Sequence, residues 1–464
     1  MKPAVAQPTG RPAGGVERPA PAFGRATAAT ALLAVAVGAT GWLYQRHWGR
    51  LPWSVPSKPW YHAVPFYLFP HPQLAPRAAV VALPVVLLAA VAVVALQRAA
   101  VAWWLRVAAS SALLLVIALA VSALAAGSPS WWEPFRYDGE YPHAAGRVGA
   151  LPTFLRAFPE RLASLPSHAA GHPAGATVLY ELLGRVWPGV AGAALLTVAL
   201  GCLGAVNVAG LARDQLGEEG GRRALALWTL SPVVVLYTAT SADAVFALVL
   251  AGAALASLRG LARRSVAWTL AGGALLWLSS MLTYASALLL VFLLPPAAGH
   301  LRRQRAWALR WAATTVGAVL ALAGLLWLAT GYDPLAAVAA VRRYYASAPG
   351  SAHRPYAVYL LGDALAFGAM LGVPLLAAVA ARALAVVRER AWSSVDAGAI
   401  ATLLAGGAWG FSRGEVERIF LFMAPLLLVP AVRQLLAWRA RLPVVAALLL
   451  AQTLAVQLLF FTRW

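Results

Sequence analysis

An all-α, polytopic membrane protein is the fold class this sequence predicts, and three observations predict it. Of 464 residues, 61% are hydrophobic and 11% charged, and mean hydropathy is +0.72. That is far more apolar surface than one soluble core could hide. The apolar residues come in long runs separated by short stretches rich in Arg, Gly and Pro. The formal charge of +21 sits mostly between those runs, the pattern of cytosolic loops under the positive-inside rule, so no nucleic-acid partner is expected. Cys202 is the single cysteine, which excludes an intrachain disulfide.

In chain order, residues 1–25 are rich in Pro, Ala and Gly and carry Lys2, Arg11, Arg18 and Arg25, the composition of a disordered cytosolic tail. Residues 26–464 read as one integral membrane domain. Its first run, Ala26 to Tyr44, is long enough to span and lacks a small-x-small cleavage site, which makes it a retained anchor. The stretch Gln45 to Arg77 mixes prolines with Trp48, Trp53, Trp60, Tyr61 and Tyr67, the belt chemistry of a membrane interface on the outer side. Runs near Ala78 to Leu96 and Val107 to Ala126 follow. After a polar interval, ten further runs extend from Val190 to Phe461, the longest of them from Ala357 to Val387. Counting them gives about thirteen membrane-spanning helices, in a range of roughly eleven to thirteen. Pro232 falls inside the run from Ala224 to Ala239, where it is expected to kink the helix.

The polar interval, residues 127–189, is the longest stretch without a spanning run, and this topology places it outside. It contains Tyr137-Asp138-Gly139-Glu140-Tyr141, then His168-Ala-Ala-Gly-His172-Pro-Ala-Gly, whose Pro173 and Gly175 favour a turn leaving both histidines exposed. The stretch Thr177 to Trp187 has apolar residues at helical spacing, with Glu181 and Arg185 paired at i,i+4. This loop is expected to carry short interfacial helices.

Asp-Gly in isolation is most often a turn. On an extended backbone, however, Asp138 and Glu140 share one side. Together they supply a general base and its orienting partner, or oxygen ligands for a divalent cation such as magnesium or manganese. Further polar groups fall on the same predicted face. Asp243 opens an apolar run behind Ser241, its expected N-cap, where a helix-dipole role competes with substrate contact. Arg342 and Arg343 suit a phosphate or lipid head groups, as do His353 and Arg354 nearby. Arg413-Gly-Glu415-Val-Glu417-Arg418 offers a substrate-binding cluster or an ion pair closing the helix ends.

The order of these motifs resembles the GT-C superfamily of polyprenyl-phosphate-sugar-dependent glycosyltransferases. The residues that carry the resemblance are Tyr-Asp-Gly-Glu-Tyr at 137–141, Gly-His-Pro-Ala-Gly at 171–175, Ser-Ala-Asp-Ala-Val-Phe at 241–246 and Arg-Gly-Glu-Val-Glu-Arg at 413–418. As architecture it covers most of the chain. It implies a mannosyltransferase-like, actinobacterial-type enzyme of the cell envelope, a multi-pass plasma-membrane protein with a cytosolic N-terminus. Such an enzyme would move a sugar, with inversion, from a polyprenyl-phosphate donor to an acceptor hydroxyl on a glycan, lipid or protein at the extracytoplasmic face. The resemblance gives Asp138 the role of general base with Glu140 beside it, and gives His172 a place at the site. Here two extra spans precede the loop. The alternatives from other classes are a transporter or flippase of lipid-linked intermediates, which should show inverted repeats, and a non-catalytic membrane subunit.

Overall fold

Backbone amides in hydrocarbon have no water to bond, so apolar runs of this length satisfy themselves as helices. The computed structural model describes residues 21–48, 63–127, 131–347, 354–389, 393–410 and 412–462, and these are almost wholly helical. Residues 1–20, Trp53, Trp60, Tyr61 and His353 lie outside the described residues. The principal helices are α1 (Pro21–Trp48), α2 (Pro76–Arg98), α3 (Trp103–Ala126), α4 (Ala174–Val186), α5 (Val190–Cys202), α6 (Gly204–Leu230), α7 (Pro232–Thr238), α8 (Asp243–Arg263) and α9 (Val266–Leu282). They continue with α10 (Leu288–Arg303), α11 (Arg305–Thr330), α12 (Pro334–Ser347), α13 (Tyr356–Leu371), α14 (Val373–Glu389), α15 (Ser394–Trp409), α16 (Ala424–Ala437) and α17 (Leu442–Leu459).

Among the described residues nine helices are long and apolar enough to cross a membrane, and three shorter apolar helices accompany them. One of the nine, Val190–Leu230, runs 41 residues and changes direction at Gly217, whose φ is 74°. Three boundaries differ from the sequence expectation. Helix α1 opens at Pro21, because proline at a first helical position gives up no intrahelical bond. Pro232 does not kink a continuing helix: α6 ends at Leu230, Ser231 is extended, and Pro232 starts α7. The long run at 357–387 is two helices, broken at Gly372 with φ 133°.

Helix α8 and the segment Val416–Ala437 are the most enclosed spans, whereas α1 and α11 present apolar side chains such as Leu32, Val35, Leu320 and Leu328 outward, as lipid-facing helices do. α8 packs on α9 at backbone distance: a Cβ at Gly272 would lie 2.6 Å from Ser257 Oγ. A two-residue antiparallel pair, Phe69 opposite Phe461, ties the stretch before α2 to the one after α17. Between α3 and α4 the chain makes short helices, including Pro142–Ala145 and Ser167–Ala170, around their own core of Phe135, Phe154, Phe158 and Tyr180.

Helix α8 sets the spacing between two polar clusters at opposite ends of the bundle. Its first residue is Asp243, and near its other end Arg259 and Arg263 pair with Asp214. Twenty residues at about 1.5 Å each separate the two polar ends by roughly 30 Å, a bilayer's hydrocarbon thickness.

Candidate active site

At the Asp243 end, two loop motifs close on each other. His168 N–H donates to Gly139 O at 3.0 Å, and Glu140 N–H donates to Tyr137 O at 2.9 Å. Gly139 permits this approach, since a Cβ there would stand 2.5 Å from Ser167 Oγ. The turn carries Glu140 inward, where its Oε1 meets His168 Nδ1 at 2.8 Å. A carboxylate can only accept, so this contact puts the proton on Nδ1 and leaves the neutral imidazole's lone pair on Nε2. Glu140 is 5% exposed. Burial alone would raise its carboxyl, but His168, Arg418 and His172 together hold it below the ordinary range.

His172 follows one turn later and donates Nδ1–H to His168 O at 2.9 Å. The sequence expects it exposed. Instead the edge of its ring meets Tyr141, 5.6 Å between centroids, and surrounding protein pushes the imidazole down to about 4, so it is neutral at pH 7. Tyr141 in turn stacks on Tyr180 of α4, with centroids 5.1 Å apart and planes 13° from parallel. The expected pair on α4 is present, with Arg185 Nε 3.0 Å from Glu181 Oε1.

Asp243 arrives from α8. Ser241 accepts Asp243 N–H at 3.1 Å and donates its hydroxyl to Asp243 Oδ2 at 2.6 Å, although Ala242 is the residue at the cap. The same Oδ2 lies 3.6 Å from Arg418 Nε. Glu415 enters through a sharp turn in which Gly414 and Glu415 both have positive φ, 78° and 64°. A left-handed glutamate costs energy that its surroundings must hold. Those surroundings are Arg354, whose Nη2 is 3.3 Å from Glu415 Oε1, and Arg418, at 4.0 Å from Oε2. Arg354 also lies 5.2 Å from the centre of the Tyr67 ring.

Glu140, His168, His172, Asp243, Glu415 and Arg418 line one cleft of about 450 Å³, counting its open part, together with Tyr345 from α12. A second pocket of about 530 Å³, again counting its open part, is lined by aromatic and apolar residues such as Tyr284, Trp409 and Phe420 and shares His172 and Tyr345 with it. The structure therefore brings together Glu140, His172, Asp243, Glu415 and Arg418. Asp138 is exposed and is not among the cleft-lining residues, because an intervening tight turn, not an extended strand, separates it from Glu140. Glu417 is buried and turned away from the cleft, accepting Tyr67 N–H, while Asp363 accepts Gly414 N–H at 3.1 Å from within α13. Arg342 and Arg343 stand exposed on α12, a turn before Tyr345, with no carboxylate partner among the described residues. Among the described residues no group of three His, Cys, Asp or Glu side chains is placed to hold a metal ion.

Sequence reasoning left His168 and Tyr345 out of the site. The signal for His168 was present, since it belongs to the same short polar stretch as His172. Tyr345 carried no comparable signal.

The fold and cleft define an all-α polytopic membrane protein with an acid–imidazole–guanidinium pocket at one end of its helix bundle. No family model, curated protein or solved structure matches the chain.

Proposed function

We propose that this protein is an inverting glycosyltransferase of GT-C type. It moves a sugar, mannose-like, from a polyprenyl-phosphate donor to an acceptor hydroxyl at the extracytoplasmic face. The observation that carries this reading is the convergence of Glu140, Asp243 and Glu415, from three distant segments, around Arg418 in a cleft adjoining an aromatic cavity. Sugar transfer from a lipid phosphate needs a proton acceptor for the attacking hydroxyl and cations for the departing phosphate, and no second acidic carboxyl, because phosphate leaves without protonation.

The role that the family resemblance gives Asp138 falls to the part of the motif lining the cleft, Glu140 and its partner His168. Arg418 is already balanced by Asp243 and Glu415, so it holds the carboxylates in place. The phosphate is left to Arg342 and Arg343, which have no such partner among the described residues and suit phosphate oxygens. The test is incubation of the purified protein with a panel of radiolabelled polyprenyl-phospho-sugars and simple glycoside acceptors. Release of polyprenyl phosphate with formation of a new glycoside is the expected result. Intact donor across the panel, with the same lipids moved between the leaflets of proteoliposomes, would point to the transporter reading instead.

A further inference from the structure

Resting on that reading and deepening it, we propose that the proton acceptor of the reaction is His168 Nε2, with Glu140 as its positioning residue. The carboxylates that line the cleft each hold a partner. Glu140 spends Oε1 on His168 Nδ1 at 2.8 Å and is 5% exposed, so its carboxylate faces the imidazole. Asp243 receives the Ser241 hydroxyl at 2.6 Å and stands beside Arg418. Glu415 is held between Arg354 and Arg418. Two imidazoles line the cleft beside them, and enclosure of His172 makes its nitrogen a weak base.

His168 is held differently. Its side chain keeps 25% of its surface open, its Nδ1 proton is fixed by Glu140, and its Nε2 makes no hydrogen bond to any described residue. A carboxylate that orients an imidazole through one nitrogen leaves the other to take a proton, and it steadies the imidazolium that results. In the step itself the acceptor O–H bond breaks and its proton goes to His168 Nε2. The acceptor oxygen forms a bond to the anomeric carbon while the carbon–oxygen bond to phosphate breaks. That electron pair stays on the phosphate, which departs as polyprenyl phosphate. The imidazolium then returns its proton to water.

The test uses the full chain in detergent with a radiolabelled polyprenyl-phospho-sugar and its acceptor. His168→Asn and His168→Gln are both made, so that a folding defect in one does not decide the matter. Each should lose about 10²- to 10⁴-fold in kcat at an unchanged donor KM, the span of general-base catalysis. Glu140→Gln should lose about ten- to a hundredfold in kcat, also at unchanged KM. Glu140→Gln combined with His168→Asn should be no slower than His168→Asn alone, since the two act as one unit. Retention of kcat within about threefold in both His168 variants would overturn the assignment while leaving the glycosyltransferase reading in place. An unaltered chain that transfers no sugar would overturn the reading, and the assignment with it.

Discussion

The two ends of α8 are built from different electrostatics. At the far end Asp214 pairs with Arg259 and Arg263 on side chains that are 21–52% exposed, and Glu218 and Glu219 make i,i+4 pairs with Arg222 and Arg223. Such pairs are worth little, because water and salt screen them. At the Asp243 end the carboxylates and Arg418 are mostly buried, where an unmatched charge costs several kcal/mol. Burial there is not accounted for by packing alone, since the cleft between the groups stays open. That end exposes matched charge to a pocket, whereas the other end presents charge to bulk water.

The largest expected effect follows from breaking the buried set. Arg418→Met leaves Asp243 and Glu415 without their shared cation and should destabilise the protein by about 3–5 kcal/mol, seen as a large drop in thermal midpoint. Arg263→Ala at the far end should cost no more than ~0.5 kcal/mol. Asp396 sharpens the comparison, because it is a fully buried carboxylate away from the cleft, bound by Arg382 Nε at 2.8 Å and Arg433 Nε at 2.9 Å. Asp396→Asn should cost roughly 2–4 kcal/mol yet leave the donor KM of the folded fraction unchanged, whereas Arg418→Met should change both.

Acid separates the ends more gently. An unfolded histidine titrates near 6.5 and His172 at about 4, so between those values the unfolded chain binds the additional proton and stability falls as pH drops. The effect is at most ~3 kcal/mol, reduced by the part of the ring open to the cleft. Glu140, held below the ordinary carboxylate range, adds a loss in the same direction at lower pH. Melting curves from about pH 7 to about 4.5 should show this slope, and His172→Asn should flatten it above about pH 4. The smallest effect belongs to the exposed α4 pair: Glu181→Ala should shift stability by less than ~0.5 kcal/mol.

Much of the bundle was legible because spanning helices write themselves as apolar runs, and Glu181–Arg185 because i,i+4 pairing is local. Which carboxylate of Asp138 and Glu140 turns inward was not legible. The turn closed by Glu140 N–H on Tyr137 O is local and in keeping with Asp-Gly, but the contact of Gly139 with Ser167 that goes with it depends on a segment distant along the chain. The pairing of Asp243 with Arg418 spans a still longer stretch of chain, and residue types alone only place both on one predicted face. Glu417 shows the converse. Two residues from Glu415 in sequence, it serves the Tyr67 backbone because the left-handed turn at Gly414 and Glu415 rotates the chain between them.

The most direct test sets Asp138 against Glu140 in the sugar-transfer assay. With Glu140 in the cleft and Asp138 outside it, Asp138→Asn should keep kcat within about threefold of the unaltered protein, while Glu140→Gln should lose at least about tenfold. Abolished transfer in Asp138→Asn with full activity in Glu140→Gln would contradict the account.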